Sequence, residues 1–280
     1  DSDSSGVLRY VRIEFAGIAE SPDNELNSLT MGAVGNRTVI DHIQVSYNGD
    51  DGIECFGGTV NMKYVIAMNT LDDDFDTNNG YRGKMQFGVI KRFSEYADQS
   101  NSEGFETDND GKSSENAPFT SPVYSNITVV GPVADLSWTA GSGPNTYNAK
   151  YLTAAQIRRN SRLSLYNSLV VGWPRGIEMT NQNTVRGANA DSIRVRHNSF
   201  YGIKDDTRNF YFGSGTNAEG KVQPDWLTAV EPGNSFTNGQ GNVGDLAKLS
   251  NAYPSDMQLF DASPEAGAEY LTTANFTADP

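Results

Sequence analysis

Short runs in which apolar and polar residues alternate punctuate the chain at roughly regular intervals. Ile43-Gln44-Val45-Ser46-Tyr47, Tyr64-Val65-Ile66-Ala67-Met68, Phe87-Gly88-Val89-Ile90 and Leu165 to Val171 are rich in Val, Ile and Tyr and are bounded by Gly, Asn and Asp. That combination predicts strands, and the runs are too short for ordinary helices. Val7 to Gly17, Ser125 to Val130, Arg162 to Thr180 and Ile193 to Tyr201 supply further strand-like stretches. No 3.6-residue pattern is sustained before residue 140. Tyr151 to Arg159, with its Ala, Gln and Arg, is expected to form one short helix or turn.

The four runs are each followed by a turn of the form x-acid-small-apolar-acid. The copies are Asp50-Asp51-Gly52-Ile53-Glu54, Asp72-Asp73-Asp74-Phe75-Asp76 and Ser102-Glu103-Gly104-Phe105-Glu106, with a degenerate Pro174-Arg175-Gly176-Ile177-Glu178. The first three recur after 22 and then 30 residues, a period that signals a solenoid. Thr38 to Gly58, Thr59 to Gly83 and Lys84 to Lys112 each read as one rung, stacked on the next at about 4.8 Å. Side chains alternate across a strand. Ile53, Phe75, Phe105 and Ile177 therefore point inward, as do Cys55, Thr77, Thr107 and Met179. Glu54, Asp76, Glu106 and Glu178 form an outward column. An antiparallel sandwich would need two-residue hairpin turns, which are scarce here. The expected fold is all-β: a right-handed parallel β-helix with a loop-rich C-terminal extension.

Along the chain, residues 1–6 read as a flexible lead-in and residues 7–212 as the β-helix, with a long insertion at about 133–157. Residues 213–280 read as a cap or extension, because a solenoid must cover its last apolar rung. Trp226, Leu227, Met257, Leu259 and Phe260 are the expected cap contacts. The chain opens at Asp1 with neither methionine nor signal peptide and reads as a processed or trimmed piece.

A formal net charge of −14 argues against nucleic acid as a partner, since phosphate requires a basic patch. No apolar run is long enough to span a membrane as a helix. The single cysteine, Cys55, permits no intrachain disulfide and is expected in the core.

Like charges facing each other on neighbouring strands repel, so the acidic column needs an offset. Calcium, which takes six to eight oxygens, would provide one. The candidate ligands are Asp50, Asp51, Glu54, Asp72, Asp73, Asp74, Asp76, Glu106 and Asp108, with Asp110 nearby. The alternative is that these acids close turns through hydrogen bonds to backbone. Arg82 and Lys84 follow the densest acidic turn and are the candidate bases of a calcium-dependent lyase, or else ion-pair partners of that turn. Tyr81, Phe56, Tyr96, Trp173 and Tyr201 are candidate sugar-stacking aromatics.

Several of these segments resemble a β-helix family of surface and secreted proteins of Bacteroidota. They are Leu8 to Gly17, Ile43 to Ser46, Asp51 to Asn61, Asp72 to Thr77, Gly83 to Gly88 and Gly104 to Asp110. The resemblance covers roughly residues 7–132. It implies a lipoprotein or a type IX secretion cargo at the cell surface, outer membrane or outside the cell, with no catalytic residue to carry over. The Asp-Asp-Gly strings are also similar to the calcium turns of pectate-lyase β-helices. Two functions are therefore expected. One is a non-catalytic, calcium-stabilised surface module with a glycan or protein partner. The other is a calcium-dependent polysaccharide lyase or related carbohydrate-active enzyme.

Overall fold

The computed structural model describes residues 2–18, 25–205, 210–212, 226–227 and 233–275. Its strands stack in parallel into two principal sheets. The first sheet runs Val7–Glu14, Val39–Ser46, Asn61–Met68, Lys84–Lys91 and Val123–Val130. It continues through the split strands Ser164–Tyr166 with Leu169–Val171 and Arg194–Arg196 with Ser199–Tyr201, and ends at Ser235–Thr237. The second sheet runs Leu29–Gly32, Ile53–Phe56, Phe75–Asn78, Phe105–Asp108, Thr153–Arg158, Arg175–Met179 and Phe210–Phe212. Each turn of the chain lays one strand, or one split strand, on each sheet, which is the parallel β-helix expected from the repeat.

The register of the second sheet follows the alternation. Ile53 pairs with Phe75 and Phe75 with Phe105, while Glu54 pairs with Asp76 and Asp76 with Glu106. Ile53, Phe75 and Phe105 are buried, as are Cys55, Thr77 and Thr107. Phe75, Phe105 and Tyr124 pack ring against ring between the sheets.

The segment expected to be a short helix or turn is a strand. Tyr151 to Arg159 contains the strand Thr153–Arg158, inserted between the third and fourth acidic repeats. Thr153, Ala155 and Ile157 fall at alternate positions and are fully buried in register with the core column. The inward pattern outweighs the modest helix preference of Ala and Gln. The insertion accordingly ends before residue 153, and within it Thr139–Ala140 and Thr146–Tyr147 pair as a small ribbon. The helix that does form, Gln182–Asn189, buries Thr184, Val185 and Ala188.

The C-terminal segment was expected over the end of the solenoid. Residues 233–275 add the strand Ser235–Thr237, then fold across the outer flank of the first sheet. That flank carries Val130, Leu169, Val171 and Tyr201, apolar side chains on the outward face that water would otherwise meet. Phe260 packs there. Leu227 is buried and Trp226 packs against the main core, whereas Leu259 is 61% exposed. Residues 213–225, 228–232 and 276–280 of the expected extension lie outside the described residues.

The long strands are bent at a common height by one left-handed residue each. Tyr10 (φ 54°), His42 (54°), Tyr64 (57°), Phe87 (62°) and Asn126 (59°) occupy this row, and Asn167 and His197 continue it. The first four rings stack at 4.4, 4.6 and 5.4 Å.

Candidate metal centre

The acidic turns join the C-terminal ends of the first-sheet strands to the N-terminal ends of the second-sheet strands, so successive turns lie one above another. Gly52 permits the close stacking. A Cβ there would lie 2.6 Å from the Asp74 carbonyl oxygen, and one on Gly104 would lie 2.7 Å from that of Ala154.

Within this stack the carboxylates meet in three overlapping groups: Asp50 with Asp51 and Asp72, Asp51 with Glu54 and Asp76, and Asp73 with Glu103 and Glu106. In each, one oxygen from every residue lies within 4.8 Å of the others. Part of this arrangement is turn architecture. The Asp73 N–H donates to Asp51 Oδ1 at 2.9 Å, and the Glu103 N–H donates to Asp73 Oδ1 at 2.7 Å. Each carboxylate thus receives the backbone of the rung above.

Two oxygens are left over. Asp76 Oδ1 and Glu103 Oε1 are buried with no hydrogen-bond partner among the described residues. Asp76 is 8% exposed and Glu103 2%. A buried carboxylate without a donor carries a desolvation cost that hydrogen bonding or a cation normally offsets. Burial first, and neighbouring carboxylates second, push Asp51, Asp73 and Asp76 well above the usual carboxylate range. The same causes raise Asp50 to about 6 and Glu103 to about 8. The groups are all oxygen, clustered and under-satisfied, which is the donor set of a hard divalent cation.

Not every expected ligand belongs to these groups. Asp74 turns away from them and is neutralised by Arg92, whose Nε donates to Asp74 Oδ2 at 2.7 Å. Thr70 Oγ1 also donates to Asp74, at 2.8 Å. Asp108 is held by Arg158 Nε at 2.9 Å and Arg159 Nη1 at 2.7 Å. Arg158 also pairs with Glu106. Asp110 closes its own loop by accepting the N–H groups of Lys112 and Ser114. Farther along the column, Gln156 stands between Glu106 and Glu178, and Glu178 pairs with Arg175 at 3.3 Å. Glu103 is a candidate ligand absent from those expected from the sequence. It occupies the same place in its repeat as Asp51 and Asp73, and that register was the available signal.

The candidate bases are elsewhere. Arg82 and Lys84 follow the strand Phe75–Asn78 and lead into Lys84–Lys91, at the turn opposite the acidic one. None of the acidic turn's ion pairs described above involves them. Of the expected stacking aromatics, Tyr81, Trp173 and Tyr201 are buried, while Phe56 and Tyr96 are partly exposed. Among the exposed rings, Tyr10 and Tyr64 sandwich His42 and Phe87 stacks on Tyr64, while Tyr10 stays 77% exposed. Cys55 is buried as expected, and burial raises its thiol above the usual range.

These features define a class: a parallel β-helix with one row of turns lined by carboxylates. Residues 1–245 match the family described as the pectate-lyase-like β-helix domain, and the chain belongs to that family. No curated protein and no solved structure matches the chain significantly.

Proposed function

We propose that the chain is a non-catalytic, calcium-stabilised β-helix module that works outside the cell or on its surface and presents its flanks to a glycan or protein partner. The observation that carries the cation reading is the pair of buried, partnerless oxygens, Asp76 Oδ1 and Glu103 Oε1, inside the carboxylate groups. Calcium accepts irregular, carboxylate-rich oxygen sets, and extracellular modules bind it in the ~0.1–1 mM range. Weak sites of that kind suit carboxylates that are partly protonated before the ion arrives. The acidic surface and the resemblance to surface β-helices support the location.

The test is thermal unfolding in calcium against chelator, for the unaltered chain and for Asp76→Asn and Glu103→Gln. A ligand that binds only the folded state raises Tm by mass action. A calcium-dependent rise that both substitutions diminish supports the reading. An identical Tm in calcium and chelator refutes it.

The lyase alternative requires a base beside the metal. Arg158 is the cation at the rim of the carboxylate groups. Its pairing with Glu106 and Asp108 raises its pKa further and keeps it charged, so it suits an electrostatic role better than proton abstraction. Unsaturated uronates released from an acidic polysaccharide, followed at 235 nm, would restore the enzymatic reading.

A further inference from the structure

Lys91 is the last residue of the strand Lys84–Lys91 and lies in register with Met68 and Val130. It belongs to the outward face of the sheet, yet it is only 3% exposed, because the C-terminal segment folds over it. Its Nζ sits 4.0 Å from the centre of the Tyr253 ring and 5.7 Å from that of Phe260. Gly172 makes room for this arrangement: a Cβ there would lie 1.9 Å from the Tyr253 hydroxyl.

A buried lysine usually finds a carboxylate. This one has none within ion-pair distance among the described residues. Arg92, next in the chain, is committed to Asp74. Glu95, on the same cleft, and Asp256 and Asp261, on the covering segment, form no ion pair with it and are exposed. Tyr253 is a neutral phenol whose pKa burial raises. Burial lowers the pKa of the Lys91 amine to about 7, against the pull of the Tyr253 ring face on its charged form.

Lys91 lines a cleft of about 400 Å³ together with Arg92, Phe93, Glu95, Trp138, Tyr253 and Met257. Clefts of this size hold small organic ligands, and desolvation without a counter-charge is the standard way to make a lysine nucleophilic at neutral pH.

We propose that Lys91 is a reactive-amine site that captures small aromatic or apolar aldehydes as an imine in this cleft. The Nζ lone pair attacks the carbonyl carbon, and the carbonyl π pair moves to oxygen. Transfer of a proton from nitrogen to that oxygen gives a carbinolamine. Loss of water then leaves a C=N bond to Nζ, with no net redox change. The rings of Phe93, Trp138 and Tyr253 offer apolar surface against which an aryl imine can pack. The site does not depend on the cation reading.

The test uses 4-hydroxybenzaldehyde with cyanoborohydride on the folded protein at pH 7, followed by peptide mass spectrometry. The added hydride reduces the imine to a stable secondary amine. Lys91 should be modified at least about tenfold faster than exposed Lys63, Lys84 or Lys150, because a far larger share of its amine is unprotonated. The advantage should shrink toward pH 10 as the exposed amines lose their protons. Lys91→Met should abolish the fast modification, and Lys91→Arg serves as a second variant if the first is poorly folded. Modification of Lys91 no faster than the exposed lysines at pH 7, or a rate that rises only above pH 9, overturns the proposal.

Discussion

Arg92 Nε donates to the Asp74 carboxylate at 2.7 Å, and neither side chain is exposed at all. The same guanidinium donates to the carbonyl oxygens of Thr70 at 2.6 Å and Glu103 at 2.7 Å, and also to that of Asp72. One side chain therefore joins two successive acidic turns from the inside. Burial raises the Asp74 pKa to about 6 against the pull of Arg92, so the pair is ionised at neutral pH.

Removing one partner of a buried pair leaves an uncompensated charge, at a cost of about 3–5 kcal/mol. Arg92→Met should destabilise the chain by that amount in urea unfolding, and Asp74→Asn by a large part of it. A loss below about 1 kcal/mol for Arg92→Met would show that the pair is not structural. Asp74→Asn is consequently a poor probe of cation binding, because it lowers stability with or without calcium.

The pH dependence of the chelated protein follows from the raised carboxylates. Between the unfolded pKa, near the ordinary carboxylate value, and the folded pKa, the native state holds more protons than the unfolded state. Stability therefore falls as pH rises through that window. Asp50 at about 6 and Glu103 at about 8 set its extent. Tm in chelator should drop between pH 5 and pH 8, and saturating calcium should offset most of the drop. A chelated protein as stable at pH 8 as at pH 5 would contradict the burial of these acids.

Gly52→Ala tests how tightly the turns stack. Its Cβ would meet the Asp74 carbonyl at 2.6 Å, so the backbone must shift, at about 1–3 kcal/mol. Gly32→Ala is the control: nothing lies within 4 Å of the added carbon, and the effect should stay within about 0.5 kcal/mol. Equal losses in the two variants would refute the stacked geometry.

Cys55 offers a probe that leaves the carboxylates untouched. It is 1% exposed on the inward column and its thiol pKa is raised by burial. Alkylation of the folded chain should be slow and should track opening of its rung. If calcium secures the neighbouring turns, its removal should speed the labelling. Rapid labelling in saturating calcium would place Cys55 outside the core.

Much of the fold was legible because period and alternation are local properties. The spacing of Ile53, Phe75 and Phe105 and the polarity of the residues between them are enough to set a rung and its register. Thr153–Arg158 was missed because it lacks an acidic turn of its own, and Ala and Gln read equally well as helix. The site was legible as a row of acids but not as groups. Asp74 is the instructive case. It sits where the other repeats have Gly52, Gly104 or Gly176, and that departure was the local sign that its role differs. Sequence adjacency made Asp74 look like one more ligand; only its three-dimensional partner separates it from Asp73. Lys91 was hidden for the opposite reason: nothing near it in the chain shows that residues around 253–260 will lie over it.

The row of left-handed residues from Tyr10 to His197 fixes where every long strand bends, whatever length of chain runs between one bend and the next. The cross-section stays constant while the connections vary from the brief link between Phe56 and Asn61 to the long excursion between Asp108 and Val123. Differences in length between rungs are thus confined to the turns. A scaffold of this design accepts new loops, or the loss of old ones, without disturbing its stacking. Variation of the loops is separated from preservation of the fold.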